Sequence, residues 1–257
     1  MAGADGLSPY ASRNRELWDA HAAAYQAEHG AQLADSGGAA WGVWQVPEAR
    51  LGVLGDVNGL DVLELGCGAA QWSIALQRLG ARVTGLDLSA RQLEHARVLM
   101  SSAGADFPLV HAGAEATGLA SASFDVVFCD HGAMTFADPY RTVPEVARLL
   151  RPGGLLAFSM HTPIVDMAWA VGRDHPGTRL ELTYWDLHLL EEPGEPACFQ
   201  LPYGTWISLF RAHDLVIEDL LELRPAADAT SSYRDDQDRA WARCWPMEHI
   251  WRVRRAR

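Results

Sequence analysis

Apolar and polar positions change rhythm along this chain, and the first clear change is short. Val62 to Leu65 has the length of a buried strand and ends at Gly66. Ala70 to Leu79 then follows a helical period. Ala81 to Leu86 gives a second strand after the Gly80 stop, and Ser89-Ala-Arg-Gln92 is a capping box that opens a helix to about Ser101. Phe107–His111 and Phe124–Cys129 read as a third and a fourth strand. Asp138-Pro139 opens a helix ending at Leu150, Arg151-Pro-Gly-Gly154 turns, and Leu155–Met160 is a fifth strand. Strands separated by helices predict a parallel sheet with right-handed crossovers, an α/β doubly wound fold.

The flanks are less regular. Asn14–Gln26 reads as a helix and a second begins at Pro47, a residue suited to a first helical turn. After Met160 the rhythm breaks into a stretch rich in proline and aromatic residues. Such a loop-rich insertion in a compact domain is usually functional or mobile. Gly204–His213 returns to a helix, Leu215–Leu223 to a strand, Asp228–Asp238 reads as an exposed polar loop, and Glu248–Arg254 as a last strand. The expected division is a helical cap (1–55), a ligand-binding core (56–160), a lid insertion (161–203) and the rest of the core sheet (204–257).

Composition narrows the function. A net charge of −12 argues against a general nucleic-acid or anionic-membrane surface. Cys67, Cys129, Cys198 and Cys244 are scattered with no C-x-x-C pair, which excludes a structural zinc pattern and suits a reducing cytoplasm. No long apolar run or signal pattern appears, so a cytoplasmic protein that does not enter the membrane is expected.

The turn after the first strand carries the chemistry. Gly66 and Gly68 let a ligand press against bare backbone, next to a helix N-terminus. A dinucleotide fingerprint would place its third glycine at Gln71, and Glu64 just before the turn would repel a pyrophosphate. That carboxylate suits a cationic ligand. Asp87, closing the second strand, can accept both hydroxyls of a ribose.

With these residues in view, Glu64-Leu-Gly-Cys-Gly68, Gly85-Leu-Asp87-Leu-Ser89, Phe124-Asp-Val-Val-Phe128 and Leu150-Arg-Pro-Gly-Gly154 resemble the successive motifs of class I S-adenosylmethionine-dependent methyltransferases, over about residues 58–160. The resemblance implies a Rossmann-like, mostly parallel seven-stranded sheet with an antiparallel last strand, and S-adenosyl-L-methionine as cofactor. It implies that Glu64 and Gly66-Cys67-Gly68 lie along the methionine and ribose parts, that Asp87 holds the ribose and Leu88 faces the adenine. It places Ala114 and Glu115 at the adenine edge, and Cys129, Asp130 and His131 toward the transferred methyl. Two positions depart from the pattern: Ala70 stands for a third glycine, and Gly113 for an acid that contacts the adenine amino group.

The function expected is methyl transfer to a small, partly apolar acceptor at oxygen, nitrogen or carbon. His131 is the first candidate for a general base and His161, after the fifth strand, the second. Tyr25, Trp41 and Trp44 in the cap offer aromatic faces to a cation or an acceptor, and Trp169, Trp185 and Tyr203 in the insertion offer further acceptor contacts. No metal site is expected, and Asp235-Asp236-x-Asp238 reads as a solvated loop. The alternatives are a non-catalytic cofactor-binding chain and a nicotinamide-dependent oxidoreductase. A homodimer is compatible with the sequence, which does not decide it.

Overall fold

The computed structural model describes residues 7–35 and 37–257. Seven strands form the central sheet: β1 (Asp61–Leu65), β2 (Arg82–Asp87), β3 (Leu109–His111), β4 (Phe124–Asp130), β5 (Leu150–His161), β6 (Leu215–Leu223) and β7 (Glu248–Arg255). Their spatial order is β6-β7-β5-β4-β1-β2-β3. Strands β1 to β5 pair in parallel, and β7 runs antiparallel between β5 and β6.

Side chains alternate across this sheet, and both faces are buried. Leu63, Leu65, Val127, Leu156 and Phe158 enter one core layer with Val143 and Val146 of the helix Pro139–Leu149 and Trp206 and Phe210 of the helix Tyr203–Ala212. Val62, Val126, Phe128, Leu155 and Ala157 enter the other with Trp72 and Ile74 of the helix Gln71–Arg78 and Leu93 and Ala96 of the helix Ala90–Ala103. Ser89 caps the last of these by accepting a hydrogen bond from the Gln92 N–H, as the capping box requires.

Strand order reverses between β1 and β4, so a crevice opens at their carboxyl ends. The turns there meet backbone to backbone. A Cβ on Gly66 would lie 2.5 Å from the Ala133 nitrogen, and one on Gly132 2.7 Å from the Gly66 oxygen. Neither position has room for a side chain.

Helix α1 spans Pro9–Asp35, well beyond the Asn14–Gln26 expected from periodicity. It is held from outside its own sequence. Asn14, fully buried, donates to the carbonyls of Phe136 and Ala197 at 2.8 and 2.9 Å and accepts from the Ala197 N–H at 2.8 Å. Arg13 pairs with Glu191 at 2.6 Å.

The insertion 161–203 therefore folds against the outer end of α1. It contains the helix Pro163–Ala168 and a two-residue strand pair, Leu189–Leu190 with Cys198–Phe199. The polar run at 228–238 is not a solvated loop throughout. Asp235 caps a helix at Asp236–Ala242, and Asp238 is buried with its Oδ1 3.0 Å from His175 Nδ1. The helix expected at Pro47 is a single turn, Glu48–Leu51.

Candidate functional site

A cavity open to solvent lies over the carboxyl ends of β1, β2 and β4. Its floor is the turn 66–69, its sides include Asp87, Leu88, Ala114 and Glu115, and its roof is α1. Of the expected cofactor residues, Tyr25, Glu64, Gly66, Cys67, Gly68, Asp87, Leu88, Ala114, Glu115 and Asp130 all line it.

Cys129 does not line it. Its sulfur is buried beneath the turn and accepts the Met134 N–H at 3.4 Å, and burial pushes its thiol up to about 12. A buried thiol of this kind is structural.

Three carboxyl groups, the buried Glu64 and the half-buried Asp87 and Asp130, surround the cavity. Glu64 Oε2 accepts the N–H and hydroxyl of Ser73, at 3.0 and 2.5 Å. Burial raises its pKa to about 8 against those two bonds. Asp87 accepts the Gly68 N–H and the Ser89 N–H, both at 2.8 Å, so it braces the glycine turn and the next helix together. Asp130 accepts the Gly42 N–H at 2.9 Å and the Ser159 hydroxyl. Burial raises the pKa of both aspartates.

None of the three makes an ion pair among the described residues. Buried carboxyls without a counter-charge are costly when ionised. A ligand carrying positive charge would supply the missing partner, and Gly68, whose Cβ direction is open apart from Gln92 at 3.9 Å, leaves backbone free to meet it. The residues present therefore fit S-adenosylmethionine.

The two departures from the motif have physical explanations. A Cβ on Gly113 would lie 3.0 Å from Leu7, so an apolar side chain from before α1 takes the space an acid would use. Ala70 does not open its helix. It is the N-cap in the left-handed conformation, φ 62°, and the helix starts at Gln71.

His131 lines the cavity with φ 49°, a conformation uncommon for a residue with a side chain. Its Nε2 lies 2.6 Å from Oε1 of the buried Glu248, a close ion-pair contact rather than a linear hydrogen bond. Burial opposes a charge on the imidazole, but Glu248 outweighs it and the His131 pKa is raised, while that of Glu248 is lowered.

His161 does not line the cavity. Its ring centre is 5.4 Å from that of His131, and its nitrogens face Asp166 at 3.4 Å and Arg234 at 3.2 Å.

The expected acceptor aromatics lie elsewhere. Trp41 is fully buried because its Nε1 donates to Glu48 at 2.6 Å while its ring packs on Trp72. Trp44 sits in a small core with Val165 and Trp241. Trp169 lies under the Arg234 guanidinium at 4.7 Å, Tyr203 faces His249 at 3.2 Å, and Trp185 is 77% exposed.

Beside the expected Tyr25, the roof is made by Ala11, Trp18 and Gln26, which the sequence reading left out of the site. Ala11, Trp18 and Tyr25 fall seven apart on one face of α1, with Gln26 beside them, and Trp18 packs edge-on against Tyr25 and Phe136. That spacing was the available signal.

A doubly wound sheet with a glycine turn after β1, an acid closing β2 and an antiparallel β7 is the class I S-adenosylmethionine-dependent methyltransferase fold. Residues 63–158 match the model of a methyltransferase domain family. A ubiquinone biosynthesis O-methyltransferase of Aromatoleum aromaticum is 39% identical over 102 residues, 39% of this chain and 44% of that protein. The chain spans about half the length of the curated relatives it matches. A solved S-adenosylmethionine-dependent methyltransferase from Mesorhizobium loti is 27% identical, with a TM-score of 0.63 over 80% of this chain and 96% of that one. The 1,6-didemethyltoxoflavin-N1-methyltransferase of Burkholderia thailandensis, solved with its substrate and S-adenosylhomocysteine, is similar in fold at 15% identity, with a TM-score of 0.59 over 100% of this chain and 94% of that one. No helix among the described residues is long and apolar enough to cross a membrane.

Proposed function

We propose that this protein transfers a methyl group from S-adenosylmethionine to a hydroxyl of a small, partly apolar acceptor. The observation that carries this reading is one cavity lined both by carboxyls without an ion-pair partner, Glu64, Asp87 and Asp130, and by a histidine that meets a buried carboxylate. Bound in it, the cofactor supplies an already activated methyl group. The protein's own work is then to align the acceptor and take up its proton.

Glu64 and Asp130 face the cationic part of the ligand, Gly66 to Gly68 its backbone-facing edge, Asp87 its sugar, and Leu88, Ala114 and Glu115 its base. Trp18, Tyr25 and Phe136 wall the acceptor's side and exclude water. His131 accepts the hydroxyl proton. The relatives named as O-methyltransferases support oxygen as the atom modified. The N-terminal cap is the lid of this site and the insertion 161–203 its fastening. Four free thiols, two of them buried, support a reducing cytoplasm as the compartment.

The test is a panel of phenols, catechols, amines and heterocycles incubated with cofactor and read by mass spectrometry. A hydroxylated compound gaining one methyl group is the expected result. Calorimetric binding of cofactor with no product from any class would overturn methyl transfer and leave a binding protein.

A further inference from the structure

We propose that Glu248 is a positioning residue for His131: it fixes the imidazole with its Nε2 toward the carboxylate, so that Nδ1 is the nitrogen offered to the acceptor. The proposal rests on the methyl-transfer reading for its purpose, though not for its geometry. Glu248 and the loop that wraps it lie outside the segment that matches the methyltransferase domain family.

Four features converge on the pair. Glu248 opens β7 opposite His161 and is fully buried, an expensive place for a carboxylate without a role. Its Oε1 accepts the Val43 N–H at 2.8 Å and meets His131 Nε2 at 2.6 Å, whereas Oε2 has no partner.

Gly42 has φ 71°, and a Cβ there would lie 2.8 Å from each of the two Glu248 oxygens. The chain thus keeps a side-chain-free residue where the carboxylate sits. The Gly42 N–H meanwhile holds Asp130, next to His131 in sequence.

His131 itself is strained, and its N–H is pinned to Ser159 by the carbonyl at 3.3 Å and the hydroxyl at 3.1 Å. Strain held this firmly from a neighbouring strand marks a residue aimed for a purpose.

The chemistry follows from the arrangement. A carboxylate beside Nε2 keeps the proton on that nitrogen and leaves the Nδ1 lone pair as the acceptor. When the acceptor's hydroxyl proton passes to Nδ1, the O–H electron pair stays on oxygen, which becomes the nucleophile. The imidazole then carries one positive charge, which Glu248 balances, and it returns the proton to water through the open cavity.

The ionisable groups around His131 are Glu248 and the neighbouring His249 on β7, Asp130 on β4, His161 at the end of β5, and Arg234 in the segment before the last helix. Of these the structure places only Glu248 in ion-pair contact with the His131 ring.

The experiment is an NMR titration of histidine-labelled protein, with and without S-adenosylhomocysteine, in wild type, Glu248→Gln and Glu248→Asp. The His131 midpoint is expected to fall by about one pH unit or more in Glu248→Gln and by less in Glu248→Asp, with Nε2-protonated imidazole dominant above the midpoint only in wild type and Glu248→Asp. S-adenosylhomocysteine affinity should stay within about twofold of wild type in both variants. An unchanged His131 midpoint and tautomer in Glu248→Gln would overturn the proposal. If Glu248→Gln does not fold, Nδ1-protonated imidazole in wild type and Glu248→Asp would overturn it equally. No acceptor is needed for this titration, so a failed acceptor panel sinks methyl transfer without touching it. With an acceptor in hand, the acid limb of kcat should move with the His131 midpoint.

Discussion

Gln26 on α1 donates to Gln92, in the first turn of the helix after β2, across the top of the cavity at 3.0 Å, and its own amide oxygen accepts from Gln71 at 3.2 Å. Asp19, seven residues earlier on the same helix, accepts from the Ser89 hydroxyl at 2.6 Å. Helix α1 is thereby tied to the two helix starts that flank the glycine turn.

Asn14→Ala should loosen that roof. It removes three buried hydrogen bonds and leaves the Ala197 N–H and two carbonyls without partners, a loss of about 2–4 kcal/mol. Amide hydrogen exchange should accelerate throughout α1 and in 190–200 but not in β1 or β4. Uniform acceleration would show that the helix is not a separate unit.

Gly66 and Gly68 should respond differently to alanine. A methyl at Gly66 meets backbone at 2.5 Å and should cost about 2–4 kcal/mol of stability, visible as a lowered Tm. Gly68→Ala has space, so only its left-handed backbone is penalised, by about 1 kcal/mol. That variant should fold and lose about tenfold in S-adenosylhomocysteine affinity, because its methyl points into the cavity. Gly66 is thus a poor position for a clean test of cofactor contact, although it stands first in the motif.

Asp87→Ala should weaken S-adenosylhomocysteine binding by about 2 kcal/mol, since charge-assisted hydrogen bonds to the ribose are lost. Its Tm should also fall, because the Gly68 and Ser89 N–H groups lose their acceptor. Calorimetry showing wild-type affinity would remove Asp87 from the ribose site.

Glu64 gives a pH dependence of defined sign. Its pKa is raised in the fold from 4.5 to about 8, so its contribution to stability is complete below 4.5 and is lost as pH rises through about 8. Asp87 and Asp130, raised in the same direction, act in the same sense. A bound cation favours the ionised form, so binding should release protons near neutrality. Glu64→Gln should flatten the alkaline loss of stability and reduce the proton release measured by calorimetry in buffers of different ionisation enthalpy.

The parallel half of this fold was legible because its signals are local. The Ser89–Gln92 cap, the Asp138 cap and the apolar runs of β1, β2 and β4 each declare themselves within a few residues. The glycine turn, Glu64 and Asp87 could be placed at one cavity for the same reason.

What sequence could not show depends on distant partners. Trp41 and Trp44 look like ligand-facing aromatics until Glu48 and the Val165–Trp241 cluster claim them. The length of α1 is set by Asn14, Arg13 and their partners in the insertion rather than by a regular apolar stripe. Glu248 meets His131 only because β7 turns back between β5 and β6, a topology that leaves no trace near either residue.

The seven-residue spacing of Ala11, Trp18 and Tyr25 also bears on how new preferences could arise in such a scaffold. The cavity's ceiling is written on one stripe of one surface helix, while the machinery beneath it is spread over several strands and loops. Swapping two or three side chains on that stripe would reshape what the cavity admits and leave the sheet untouched. A small library confined to those positions is therefore the economical route to altered selectivity.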